Sequence, residues 1–177
     1  MKSTCSIVYL LLLSCSCIAQ LSSKSYRILF VGNSLTYTNN LLVLVEDVGA
    51  KYDIPLETEM LALPNFSLED HWLQGRLQKL ITSGRFDKND VVLAFFMVWP
   101  PSDHTDRFEG VNNNYTEAAM KTQSVLCPVG LAWKKCVEEN KHCDYYDADG
   151  FHPSLAGSKV AAEIIIQSLF TEKAATT

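Results

Sequence analysis

The sequence predicts a single α/β domain: a parallel sheet with helices on both faces, three layers deep. Three observations carry that expectation. Short β-rich runs alternate with segments whose apolar residues recur at helical spacing. The chain has 177 residues, 47% of them hydrophobic and 20% charged, which suits one sizeable core. No internal repeat or low-complexity tract points to a solenoid or a collagen-like array instead.

The elements follow in order. Residues 26–31 (Tyr-Arg-Ile-Leu-Phe-Val) form a short β-rich run that stops at Gly32. Residues 41–52 place apolar side chains at 41, 42, 44, 45 and 48, the spacing of one helix face. Residues 56–63 read as a second strand, and Ser67 opens a helical stretch to 81 (Leu68, Trp72, Leu77, Leu80) that Gly84 ends. Residues 91–99 are a third apolar run, 115–123 a weak helix and 125–129 a fourth short strand. Residues 131–139 and 160–170 complete the pattern as helices, the last one amphipathic. In such sheets ligands bind outside the carboxyl ends of the strands, so residues just after each strand are the first place to look for chemistry.

Charge and hydropathy narrow the partners. Fifteen Lys and Arg against twenty Asp and Glu give net −5, with a pI near 5.3 and a mean hydropathy of +0.03. There is no basic stripe to neutralise phosphates, so nucleic acid is not an expected partner. The one long uncharged apolar run lies at the extreme N-terminus. Lys2, the apolar stretch at 7–13 and Cys17-Ile18-Ala19 before Gln20 read as a secretory signal peptide over residues 1–19, leaving 20–177 as the domain. That stretch falls far short of the roughly 20 apolar residues needed to span a bilayer, so no transmembrane span is expected. The expected location is secreted or periplasmic. Leu12-Leu13-Ser14-Cys15 also resembles a bacterial lipobox, which would anchor the protein through a lipidated Cys15.

Loss of the leader removes Cys5, Cys15 and Cys17, leaving Cys127, Cys136 and Cys143. Three thiols form at most one internal bridge, and Cys136 with Cys143 is the local candidate in an oxidising compartment. No Cys-x-x-Cys occurs, and His71, His104, His142 and His152 have no tight metal spacing, so neither a metal nor a cofactor is expected.

Two segments carry the chemistry. Gly32-Asn33-Ser34-Leu35-Thr36 follows the first strand, where backbone N–H groups at a helix start favour developing negative charge. Ser34 is therefore a candidate nucleophile, although Ser34 or Thr36 would equally serve as a plain helix cap. Asp149-Gly150-Phe151-His152-Pro153 lies before the last helix. A serine nucleophile needs a base, and the base needs a group that fixes its tautomer; His152 and Asp149, three residues apart, fit both roles. Gly150 permits unusual dihedrals and Pro153 stiffens the exit. A surface Asp-Gly turn followed by a chance histidine is the bland reading of the same residues.

Together, Gly-Asn-Ser-Leu after the first strand and Asp-Gly-Phe-His-Pro-Ser before the last helix resemble the SGNH (GDSL-like) hydrolase superfamily. The segments Asn65-Phe66-Ser67-Leu68-Glu69-Asp70-His71-Trp72, Met97-Val98-Trp99-Pro100 and Pro128-Val129-Gly130-Leu131-Ala132-Trp133 are similar to those of a bacterial secreted branch. The resemblance implies a flavodoxin-like α/β/α fold and serine ester hydrolysis, with Ser34 as nucleophile, His152 as base and Asp149 as its orienting acid. It also implies an oxyanion hole formed by the backbone N–H groups of Ser34 and Asn65. Asn65 stands where the family has glycine, and asparagine is the residue that next best tolerates left-handed dihedrals. A simple Asx turn ahead of Ser67 fits Asn65 too. His71 and Trp72 read as packing residues.

The pattern breaks at the family's third block, which follows strand three and supplies a side-chain amide to the oxyanion. Residues 90–100 run Asp-Val-Val-Leu-Ala-Phe-Phe-Met-Val-Trp-Pro with no amide between the two apolar halves. In relatives a loop, a helix and a further strand intervene. A nine-residue strand would extend roughly 30 Å, beyond the usual five or six residues, and parallel neighbours need a crossover of about a dozen residues that is absent here. The expectation is a sheet shortened by one α/β unit near Leu93 to Phe95; a single long strand with a bulge is the other reading. After Pro101, the polar stretch Ser102 to Arg107 reads as a rim loop. Asn65-Phe66-Ser67 and Asn114-Tyr115-Thr116 are sequons relevant only in a glycosylating pathway.

Two functions follow as expectations. One is an exported esterase acting on small acyl esters, including acetyl groups on polysaccharide; a lysophospholipase or thioesterase variant of it would need an apolar groove near Phe95 and Trp99. The other is a noncatalytic SGNH-like domain without a working oxyanion hole.

Overall fold

The computed structural model describes residues 25–84, 92–139 and 143–170; the expected leader with Cys15, and Asp90 and Val91, lie outside the described residues. β1 (Tyr26–Gly32) pairs in parallel with β2 (Leu56–Ala62), Tyr26 facing Leu56 and Gly32 facing Ala62. The crossover between them is α1 (Ser34–Tyr37), a 3₁₀ turn at Thr38–Asn40 and α2 (Leu41–Lys51). Asn39 and Asn40, at φ 55° and 56°, turn the chain between these helices in a left-handed conformation that asparagine tolerates better than most residues.

The helical stretch expected over 67–81 is two helices, α3 (Leu68–Leu73) and α4 (Arg76–Thr82). Gly75 stands between them at φ 73°, a conformation no helix accommodates. Ser67 and Asp70 form a reciprocal capping box at the start of α3.

The apolar run at 91–99 is neither one long strand nor two joined end to end. Only β3 (Ala94–Phe96) is a strand, paired in parallel with β4 (Val125–Cys127). The pairing stops because the chain turns into a helix at Val129: Met97 N still donates to Cys127 O, but Met97 O accepts from Gly130 N of that helix instead of from a further strand residue, and Pro100 and Pro101 end the run on the other side. Between these strands lies α5 (Phe108–Thr122), which takes in the expected weak helix and the second sequon. α6 (Val129–Glu139) and α7 (Leu155–Leu169) follow. α7 begins five residues ahead of expectation because Ser154 caps it, its side chain accepting from Gly157 N.

The result is an α/β fold with parallel strands and helices on both sides, but the sheet is in two pieces. Among the described residues β1 pairs only with β2, and β3 only with β4. α7 packs against both α2 and β4, so one helix layer spans the two halves. The shared core includes Phe30, Val45, Trp99, Val129, Trp133 and Ile166. Cys136 and Cys143 form the expected disulfide, and Cys127 is a buried free thiol whose pKa burial pushes up to about 11. Among the described residues no helix is long and apolar enough to cross a membrane.

Trp133 is fully buried and stacks face to face on Trp99, ring centroids 3.6 Å apart, with Tyr145 and Tyr146 around it. Truncating it empties one of the largest buried side chains among the described residues. Trp133→Ala should destabilise the domain by about 3–5 kcal/mol, read from the midpoint of urea unfolding; a loss under about 1 kcal/mol would show that the stack is not a core element.

Candidate active site

The elements bring Ser34, His152 and Asp149 together. Ser34 is the first residue of α1, directly beyond the carboxyl end of β1. Neither Ser34 nor Thr36 caps that helix. The cap is Asn33, whose side-chain oxygen accepts from Leu35 N at 3.1 Å, and this leaves the Ser34 hydroxyl free. Ser34 Oγ lies 2.9 Å from His152 Nε2, and His152 Nδ1 lies 2.5 Å from Asp149 Oδ2. A carboxylate only accepts, so Nδ1 carries the proton and donates it to Asp149, and Nε2 is left as acceptor for the serine hydroxyl.

Local geometry explains why residues three apart form this pair. Asp149 Oδ1 accepts from the N–H groups of Phe151 and His152, both at 2.9 Å, folding the segment over the carboxylate. Gly150 sits at φ 68°, and a Cβ there would come within 2.4 Å of Ser102 Oγ, so the turn requires glycine. Asp147 N donates to His152 O at 2.8 Å, closing the turn.

The turn is fastened from outside by residues to which the sequence had assigned no such role. Trp99 Nε1 donates to Phe151 O (3.1 Å), Ser102 N to Gly150 O (2.8 Å) and Tyr146 Oη to Pro100 O (2.8 Å). Ser102, expected only as part of a polar rim, thus buttresses the acid turn. Asn39 Nδ2 donates to Pro153 O at 2.7 Å and to Ser158 Oγ at 3.0 Å, tying the Ser34 segment to the His152 segment. The recognisable trace of this link in the sequence was the pair of adjacent asparagines, a common left-handed turn signal.

Asn65 lies on the turn after β2 at φ 59°, with Pro64 before it and Phe66 N donating to Leu63 O. Proline followed by a left-handed asparagine is the pattern of a type II turn. Asn65 does not cap α3, since Ser67 does so itself. Two bonds hold this turn against the Ser34 segment: Leu63 N to Gly32 O at 3.2 Å, and Asn33 Nδ2 to Phe66 O at 3.2 Å. Among the described residues the N–H groups of Ser34 and Asn65 donate to no acceptor. Of the two expected packing residues, His71 is buried and Trp72 is 56% exposed. Trp99 is buried in its stack on Trp133 and so is not available to line an acyl groove.

Comparison with known proteins bears on the fold. The structure is similar to that of a protein from Slackia heliotrinireducens named as a "putative SGNH hydrolase", with a TM-score of 0.62 and 18% identity. The alignment covers 82% of this chain and 100% of that one. The two share a fold. No protein-family profile matches the sequence, and no curated protein does.

The electrostatics of the pair are testable. The hydrogen bond from His152, then those from the Phe151 and His152 N–H groups, hold the Asp149 carboxyl down to about 2, against an ordinary value of 3.8. A depressed carboxylate stabilises the folded turn above its ordinary value, and that contribution is lost as pH falls through about 2. Carboxyl-carbon NMR should therefore place the Asp149 midpoint near 2. In His152→Ala it should climb toward 3.8, and a wild-type midpoint already there would mean the imidazole does not hold the carboxylate.

Proposed function

We propose that this chain is an exported serine ester hydrolase of the SGNH type, acting on short acyl esters such as acetyl groups on polysaccharide. The observation that carries this reading is the continuous relay Ser34 Oγ, His152 Nε2, His152 Nδ1, Asp149 Oδ2, at 2.9 and 2.5 Å. Export is supported by the leader pattern at residues 1–19 and by the Cys136–Cys143 bridge, a bond that persists in oxidising compartments.

The chemistry follows from the groups present. Ser34 Oγ attacks the ester carbonyl carbon as its proton passes to His152 Nε2, and the carbonyl oxygen takes the negative charge. The free N–H groups of Ser34 and Asn65 are the donors on hand for that oxygen. Collapse breaks the bond to the alcohol, which leaves with the proton from Nε2. Water then gives a proton to Nε2 as it attacks the acyl carbon; the bond from that carbon to Ser34 Oγ breaks, Oγ takes the proton back from Nε2, and the acid is released.

We further propose that the domain lacks one α/β unit. In a flavodoxin-like sheet the spatial order is two, one, three, four, five. Removal of the third strand leaves two pairs, two with one and four with five, and the observed pairs β1–β2 and β3–β4 fit that pattern. With that unit goes the side-chain amide of the third block. One missing oxyanion donor lowers kcat by about 10² to 10³, so a slow esterase is the expectation.

The same missing amide favours a second reading, a noncatalytic domain that keeps the scaffold. A fluorophosphonate probe separates the two, since covalent labelling of Ser34 excludes the second. With p-nitrophenyl acetate, Ser34→Ala and His152→Ala should each lose about 10³-fold or more in kcat. Equal rates for the wild type and both variants would sink the esterase. Asn65→Gly should keep kcat within about threefold, whereas Asn65→Val, β-branched at positive φ, should lose at least about tenfold.

A further inference from the structure

We infer that His71 is a positioning residue: its imidazole holds the last carbonyl of β1 and so sets the spacing between the Ser34 and Asn65 N–H groups. The inference deepens the ester-hydrolase reading and rests on it. His71 lies on α3, four residues after Ser67, whose capping box with Asp70 fixes the first turn; His71 N itself donates to Ser67 O at 3.3 Å. The residue is 1% exposed.

Nε2 lies 2.6 Å from Gly32 O, and because a carbonyl only accepts, Nε2 carries the proton. The same oxygen takes the Leu63 N–H at 3.2 Å. Three segments thus meet on one atom: the strand leading into Ser34, the turn carrying Asn65, and α3. Phe66, next to Asn65, packs its ring 5.0 Å from the imidazole and offers its carbonyl to Asn33.

Packing does not by itself call for an imidazole here. Nδ1 is buried with no hydrogen-bond partner, a cost that methionine or leucine of similar bulk would avoid. What the imidazole adds is the second donor to Gly32 O. Without it the Ser34 segment keeps its two bonds to the 63–66 turn but loses its tie to α3, and the two segments are free to pivot together on that pair of bonds. Two N–H groups stabilise an oxyanion only when both point at one oxygen, and a displacement of about 1 Å costs on the order of 100-fold in rate. Ground-state binding makes no such demand, so the loss falls on kcat rather than KM.

The test compares full-length wild type with His71→Met and His71→Gln, the glutamine placing an amide donor where Nε2 stood. His71→Met should fold with an undiminished melting temperature and an unchanged KM for p-nitrophenyl acetate, but with kcat lower by about 10- to 100-fold. Amide exchange at Leu63 and Thr36 should quicken about tenfold while α7 keeps its protection. His71→Gln should recover most of both losses. Wild-type kcat and exchange in His71→Met would overturn the inference. So would a His71→Met that does not fold, which makes the imidazole an ordinary structural part, or a His71→Gln that recovers nothing. If the wild type fails to hydrolyse the ester, the esterase reading falls while the exchange at Leu63 and Thr36 still decides the role of His71.

Discussion

The hydrogen bond between Ser34 and His152 joins residues 118 apart in sequence, and neither residue belongs to a strand that would hold it in register. Chain entropy opposes such a meeting, and one hydrogen bond at a half-exposed edge offsets little of it. The compensation lies in the backbone around it. The histidine turn is pinned on one side by Trp99, Ser102 and Tyr146, and on the other by Asn39. Trp99 in turn is fixed by its stack on Trp133, so the core reaches the site through one indole. The relay is a consequence of that scaffold more than a cause of it.

The divided sheet places a second demand on the helices. Strands of a continuous parallel sheet align one another through their ladders, but here β1 and β3 have no ladder between them among the described residues. Alignment of the halves passes instead through α7, which packs on α2 and on β4, and through the side chains of the common core. Hydrophobic contact is non-directional and sets orientation less sharply than a ladder does. The polar ties across the rim, Asn39 to Pro153 above all, therefore carry more of the positional burden than they would over an unbroken sheet.

What could be read from the sequence was what depends on short-range pattern. The strands and helices around Tyr26, Val45, Leu61 and Ile165 followed from spacing, and the placing of Ser34, Asp149 and His152 at strand and helix ends followed from motif and turn chemistry. The break at Gly75 was missed because apolar spacing runs on through it; the glycine's left-handed φ, not its hydropathy, ends the helix. The nine-residue apolar run misled for a related reason. Strand length depends on how many partner residues exist, and the start of α6 at Val129 leaves only three. The supporting roles of Ser102, Trp99 and Asn39 were not legible because their bonds go to backbone carbonyls of distant loops, which no pattern within one segment encodes. The spare donor of His71 was hidden likewise.

The relay also shows how a carboxylate can work without burial. The Asp149 side chain is 50% exposed and that of His152 32%, so the Coulombic attraction between acid and imidazolium is largely screened by water. What water does not screen is geometry. With Oδ1 engaged by two N–H groups, the carboxylate cannot rotate freely, and Oδ2 faces Nδ1 in one direction only. The proton is then kept on Nδ1, and Nε2 presents its lone pair to Ser34. A tautomer fixed in this way needs no low-dielectric surroundings, because it depends on which hydrogen bonds are available and not on the strength of a charge pair. The depressed Asp149 carboxyl is the thermodynamic expression of the same arrangement: three donors aimed at one small group favour its ionised form even in contact with solvent.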